Sequence, residues 1–269
     1  MKAPGLGVPI LEASGLSIGW GRGRHRHVLA DGIELSASQG RLIALVGPNG
    51  SGKSTLLRTL AGFQASQGGS LKLGGDTINS LDAETRARRV ACVFNERLET
   101  GYFSVADIVA FGRYPYTDAR NRLSEEDSKH VLDALAAVGM EGFAHQAYSE
   151  LSDGEKQKVN VARAIAQDAP VLVLDEPTAF LDAPSRIEIF HLAGTLAHDS
   201  GKCVILSTHE LDLALHSADE MWIFDREHHF SAGTPYLIAH SGAIGRAFSS
   251  PTVSFDPTLG GFLMAKKII

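Results

Sequence analysis

Gly47-Pro48-Asn49-Gly50-Ser51-Gly52-Lys53-Ser54-Thr55 lies between the apolar run Leu42-Ile43-Ala44-Leu45-Val46 and a segment that opens Lys53-Ser54-Thr55-Leu56-Leu57. A strand feeding a helix through such a loop is the setting of a phosphate cradle. The glycines permit backbone geometry closed to other residues, so successive N–H groups can turn inward on phosphate oxygens at the positive end of a helix dipole. Lys53 is placed to reach the β- and γ-phosphates, and the Ser54 hydroxyl to ligate Mg²⁺. The stretch from Gly47 to Thr55 thus predicts a bound nucleoside triphosphate.

Further along, Val171-Leu172-Val173-Leu174-Asp175-Glu176 reads as a buried strand with two carboxylates at its C-terminal end, where open α/β sheets place ligands. Side chains alternate along a strand, so the two acids divide the work. Asp175 is assigned to the Mg²⁺ shell and Glu176 to the water that attacks the γ-phosphate.

Around these motifs the chain alternates strand and helix. Strands are expected at 171–175, 203–207 and 221–224, which predicts a mostly parallel sheet flanked by helices. Before the loop, Ile10–Ala13, Leu16–Trp20 and Ile33–Ser36 read as short antiparallel strands. Between about 95 and 165 apolar residues recur at helical spacing, as in Val105, Ile108 and Val109 and again in Val131, Leu132, Leu135 and Val138, which predicts a helical insertion. The expected division is 1–225 as the main domain and 226–269 as a small C-terminal appendage.

The 269 residues are 44% hydrophobic and 21% charged, with a formal charge of −6, the composition of a soluble globular chain. No broad basic face argues for nucleic acid as a partner, and the cluster Arg22-Gly23-Arg24-His25-Arg26-His27 reads as a solvated loop. Cys92 and Cys203 lie in apolar runs without metal-ligand spacing, which suits a reducing compartment. No apolar run approaches the ~18 residues that cross a bilayer, and no signal-peptide pattern opens the chain, so any membrane association is expected to run through a partner.

Leu151-Ser152-Asp153-Gly154-Glu155 stands about 20 residues before the acidic strand and opens a helix through Lys156-Gln157-Lys158-Val159. A Ser hydroxyl, a Gly N–H and a helix N-terminus form a second anion site. In order and spacing these motifs resemble the ATP-binding cassette (ABC) ATPases, over residues 10–225. The resemblance implies an α/β P-loop NTPase core with a mostly parallel sheet, an N-terminal antiparallel β subdomain and a helical insertion. It also implies ATP and Mg²⁺ as ligands, and a head-to-tail homodimer in which Ser152, Gly154 and Glu155 face the nucleotide of the other copy. The usual signature has Gly at 153 and Gln at 155, so Asp153 and Glu155 are departures.

Residue by residue, Trp20 matches the aromatic that stacks on adenine and His209 the switch histidine of the γ-phosphate. Asp182 matches the polar contact of the loop crossing the dimer. Asn95 stands at the metal-contacting Gln, one methylene short, with Glu96 as a possible substitute. Ser104 to Pro115, ending Gly112-Arg113-Tyr114-Pro115, is similar to ATPases of importers for iron–siderophore complexes, haem and cobalamin. It is expected to be a helix ended by Gly112 and a Pro-restricted turn that presents Arg113 and Tyr114 to a transmembrane permease. The implied setting is peripheral, on the cytoplasmic face of the cell membrane, with a periplasmic or extracellular substrate-binding protein as an indirect partner. Soluble ABC ATPases of DNA repair or translation are the alternative, disfavoured by the single phosphate loop and the lack of sustained heptads. A P-loop kinase would leave the signature, Asp182 and His209 unexplained.

Overall fold

The computed structural model describes residues 9–21, 23–94, 101–118, 120 and 122–264. Strands β1 (Pro9–Trp20) and β2 (His27–Ser38) form a long antiparallel hairpin, extended through β4 (Gly68–Leu73) to the two-residue β5 (Asp76–Thr77). The expected break between Ala13 and Leu16 is a shift of register within one strand, where Gly15 adopts φ 55°. An extra residue bends a strand without ending it.

The second sheet has the order β10-β9-β3-β8-β7-β6. Its parallel members are β3 (Arg41–Val46), β6 (Val90–Val93), β7 (Val171–Leu174), β8 (Cys203–Ser207) and β9 (Glu220–Phe224). β10 (Phe230–Gly233) runs antiparallel to β9 at the edge. Alternation along the strands divides the core. Ile43, Leu45, Val173, Ile205 and Phe224 pack toward the antiparallel sheet and α1 (Lys53–Leu60), whereas Leu42, Ala44, Leu174, Leu206 and Ile223 pack against helices of the opposite face. These strands are buried on both faces, which explains their continuous apolar runs.

The chain beyond 225 is not set apart from this core. β10 adds to the main sheet, and α8 (Pro235–His240) and α9 (Ala243–Phe248) place Ile238, Ile244 and Ala247 in the same apolar cluster as α6 (Ala183–His198) and α7 (Leu211–Ser217). Among the described residues beyond 225, only β11 (Val253–Asp256) and β12 (Gly261–Met264) form a separate two-stranded sheet.

Helix α2 (Ala83–Arg89) leads into β6. After it, α3 (Val105–Ala110), α4 (Glu125–Ala137) and α5 (Asp153–Ala166) share their own core of Val105, Ile108, Leu135, Tyr148 and Val159. Capping boxes start all three, with Ser104, Ser124 and Ser152 each paired to the acid three residues on.

The Gly-Arg-Tyr-Pro segment departs from its expected geometry. The chain continues from α3 as a 3-10 helix over Phe111–Tyr116, with Pro115 inside it. Gly112 is there for close approach: a Cβ would lie 2.2 Å from the Arg163 carbonyl oxygen of α5. Arg113 is buried and spent internally, donating to Asp127 Oδ1 at 2.8 Å and to the Ala166 carbonyl at 2.8 Å, with its guanidinium 4.1 Å from the Tyr116 ring centre. It is a buried structural residue rather than an exposed one. Tyr114 is half-exposed.

Candidate functional site

The loop between β3 and α1 holds Gly47, Gly50 and Gly52 at φ 154°, 77° and 112°. At Gly47 a side chain would come within 2.8 Å of Ser51 Oγ and 2.9 Å of the Phe224 carbonyl oxygen, so the loop turns tightly against β9. Lys53, the first residue of α1, is buried and donates to the carbonyls of Gly47 at 2.9 Å and Pro48 at 3.2 Å. Burial pushes its ammonium below the usual lysine range, while the nearby Glu176 and Asp175 carboxylates offset part of that shift. Asn49, Gly50 and Ser54 are exposed, and Thr55 is half-buried in the first turn of α1.

Across the sheet, β7 and β8 pair in parallel with Leu174 opposite Leu206, which sets Asp175 beside Ser207. Ser207 Oγ donates to Asp175 Oδ1 at 2.6 Å and accepts the Glu176 N–H at 2.8 Å. Glu176 sits at φ 52°, a left-handed conformation that costs an ordinary residue energy and persists only when held. His209, just beyond the end of β8, has its Nε2 2.8 Å from Glu176 Oε1 and so restrains that carboxylate. Lys53, Asp175, Glu176 and His209 are thus gathered at the C-terminal edge of adjacent strands.

Trp20 ends β1 with half its surface exposed, and its ring centre is 4.3 Å from that of His27 on β2. Asn95 and Glu96 lie outside the described residues.

A second group surrounds the N-terminus of α5. Ser152, Gly154, Glu155 and Asp182 line an open cavity of about 660 Å³ with Phe180, Leu181 and Lys158, and no phosphate-loop residue reaches it. Gly154 permits contact with the loop after Glu176, since a Cβ would be 3.2 Å from the Phe180 carbonyl oxygen. Asp182 accepts from the Ser185 N–H at 3.1 Å and caps α6. Ser152 Oγ donates to Glu155 Oε2 at 2.7 Å, and the Ser152 N–H donates to the same oxygen at 2.8 Å. These bonds hold Glu155 below the usual carboxylate range. The acid therefore engages the Ser152 hydroxyl within the same helix cap.

The donor set fits a polyphosphate with Mg²⁺. A helix N-terminus, a buried ammonium, an exposed hydroxyl at Ser54 and an acid at Asp175 converge on the loop, and Ser51 Oγ is buried there without a hydrogen-bond partner. Sequence reading missed two residues of this region. Ser207 is one, legible only through the pairing of β7 with β8; the other is His228, whose Nδ1 lies 3.1 Å from the Ser51 carbonyl oxygen.

The phosphate loop, the acid pair and the separate signature group define an ATP-binding cassette. The chain belongs to the ABC transporter family, whose model matches residues 30–179. It is 35% identical over 253 residues to an uncharacterized ABC transporter ATP-binding protein of Methanocaldococcus jannaschii, covering 94% of this chain and 86% of that protein. It is 34% identical to a hemin import ATP-binding protein of Nocardia farcinica, covering 96% and 89% of the two chains. Against an iron(3+)-hydroxamate import ATP-binding protein of Bacillus subtilis the identity is 32%, covering 76% and 74%. Among solved structures, a dimeric post-hydrolysis ATP-binding cassette bound to ADP and Pi shares the fold, with a TM-score of 0.74 at 23% identity over 84% of this chain and 98% of that one. The chain is an ABC ATPase, and its fold is that of the P-loop NTPases.

Proposed function

We propose that two copies of this chain sandwich two MgATP head to tail, and that hydrolysis energises a membrane importer for ferric siderophore, haem or cobalamin. The observation carrying the dimer is the separation of two anion-binding groups in one chain. Residues 47–55 lie on one edge, and the cavity of Ser152, Gly154 and Asp182 includes none of them. A second copy, rotated to face the first, brings each signature onto the other's phosphates.

In that arrangement Lys53 and the loop N–H groups take the phosphate charge, and Trp20 offers its exposed face to adenine. Mg²⁺, when bound, neutralises charge at the β- and γ-phosphates, and Ser54 and Asp175 are the residues that would hold it. Glu176 accepts the proton of the attacking water. His209 holds that carboxylate in line, and Ser207 holds its backbone. The Ser152 hydroxyl and Gly154 N–H of the second copy close over the γ-phosphate, with Asp182 at the crossing loop.

The importer reading is supported by the relatives' names, and no helix among the described residues is long and apolar enough to cross a membrane. A peripheral place on the cytoplasmic face, beside permease subunits fed by a substrate-binding protein, follows from it. Glu176→Gln is expected to lose more than about a hundredfold in turnover while still binding MgATP, and to sediment as a dimer only with MgATP present. A variant that hydrolyses at the wild-type rate, or binds MgATP and remains monomeric, would contradict the reading. For the cargo, a strain lacking the chain should fail to take up one of the three compounds until the wild-type chain, but not Glu176→Gln, is restored. Unchanged uptake of all three would remove the importer assignment.

A further inference from the structure

We propose that His228 is a positioning residue for the phosphate loop: its imidazole holds the Ser51 carbonyl outward, and the same peptide group thereby directs the Gly52 N–H onto bound phosphate. The inference rests on MgATP binding through residues 47–55, and the closing experiment separates the two.

His228 lies in the turn that joins β9 to β10, outside residues 30–179 that match the family. Its φ of 64° is left-handed, uncommon for a side chain of this size. The turn is built to keep it there. The Asp225 N–H donates to the His229 carbonyl at 3.1 Å, and the His228 N–H donates to the Asp225 carbonyl at 3.3 Å. The Asp225 carboxylate, buried at the base of the turn, accepts the N–H groups of Glu227 at 2.8 Å and His229 at 3.0 Å. At the root of the hairpin, Phe224 presses on Gly47. The hairpin therefore touches the phosphate loop at both ends, through Phe224 at Gly47 and through His228 at Ser51.

The contact at Ser51 has a defined polarity. A carbonyl oxygen only accepts, so Nδ1 carries the hydrogen across the 3.1 Å separation. In a trans peptide the C=O of one residue and the N–H of the next point in opposite directions, and the described residues contain no cis bond. Fixing the Ser51 carbonyl on the hairpin side consequently fixes the Gly52 N–H on the other. Gly52 is the N-cap of α1, at the end of the helix whose N–H groups have no intrahelical acceptor. Gly52 itself, free of a Cβ, would allow that peptide to swing if nothing held it. His228 supplies the restraint before nucleotide arrives, which lowers the ordering cost of binding.

Two substitutions keep the backbone and differ only in the donor. Asn tolerates left-handed φ and places an amide nitrogen at the same bond count from Cα as Nδ1; Gly tolerates the conformation and offers nothing. His228→Gly is expected to raise the MgATP Kd and KM about three- to tenfold, with kcat at saturation changed less than about twofold. His228→Asn should remain within about twofold of wild type, and adenosine, which lacks phosphate, should bind all three proteins equally. A structural role alone would lower the urea midpoint of both variants without this split between Gly and Asn. Lys53→Ala, run alongside, reports on the site itself. If Lys53→Ala loses MgATP while His228→Gly binds it like wild type, or if His228→Asn is as impaired as His228→Gly, the positioning role is overturned. If Lys53→Ala also binds normally, the phosphate site itself is misassigned.

Discussion

Ser207 shows how one buried hydroxyl can govern two acids. Its oxygen is completely buried, donates to Asp175 and accepts from the Glu176 N–H, so it sets the spacing of the Asp175 carboxylate and the left-handed backbone of Glu176. Ser207→Ala leaves the Glu176 N–H without its acceptor and is expected to lower kcat about tenfold, the effect of one lost hydrogen bond at a preorganised site, with KM for MgATP changed less than about twofold. Steady-state kinetics decide; a rise in KM at constant kcat would place Ser207 in binding. The phosphate loop, Asp175 and Glu176 were readable because each motif is contiguous and local physics fixes its geometry. Ser207 was not, because it matters only through the register that sets residue 207 beside 175. His228 depends on a turn 177 residues from Ser51 in sequence. Both partnerships are made by tertiary structure, and no spacing along the chain announces them.

At the scale of elements, the helical insertion was visible in its apolar spacing, but the fate of its polar residues was not. Arg113 looked exposed because sequence carries no sign of its partner on α4. The structure instead buries Arg113 with Asp127, tying the 3-10 segment to α4 and, through the Ala166 carbonyl, to α5. Removing one member strands a buried charge, so Arg113→Ala should cost about 3–5 kcal/mol in urea unfolding. Desolvation alone would raise the Asp127 carboxyl, but hydrogen bonds from Ser124 and Arg113 outweigh it and lower it from 3.8 to about 2. A group whose folded-state value is depressed stabilises above its unfolded value and loses that contribution as pH falls through the folded one. The contribution of Asp127 is thus complete above about pH 4 and fades toward pH 2. Asp127→Asn should flatten this part of the acid limb of stability; an unchanged limb would show that the pair does not titrate as described. The signature helix makes a second case. Glu155 draws the Ser152 hydroxyl to itself and puts negative charge beside the position proposed for a partner's phosphate. Glu155→Gln preserves the cap and removes the charge, so MgATP-driven dimerisation should strengthen about two- to fivefold at low salt, by analytical ultracentrifugation. A weakening would mean the carboxylate serves assembly.

For the whole molecule, the alternation of strand and helix from Val171 onward foretold the parallel sheet, since each buried strand is a continuous apolar run between helices. The integration of residues beyond 225 was harder to read. β10 is short and half-buried, and its place is set by pairing with β9 rather than by its own pattern. What no single chain displays is the composite site proposed above, because the cavity of Ser152, Gly154 and Asp182 includes no phosphate-loop residue. The decisive measurement is the ATPase activity of a mixture of two inactive proteins, Lys53→Ala and Gly154→Asp. Each homodimer carries one defect in every site. A head-to-tail heterodimer concentrates both defects in one site and leaves the other intact, so random mixing should restore about a quarter of wild-type sites. Activity well above the sum of the parents is the predicted result. A mixture as inactive as its parents, with heterodimers shown to form, would contradict the shared site.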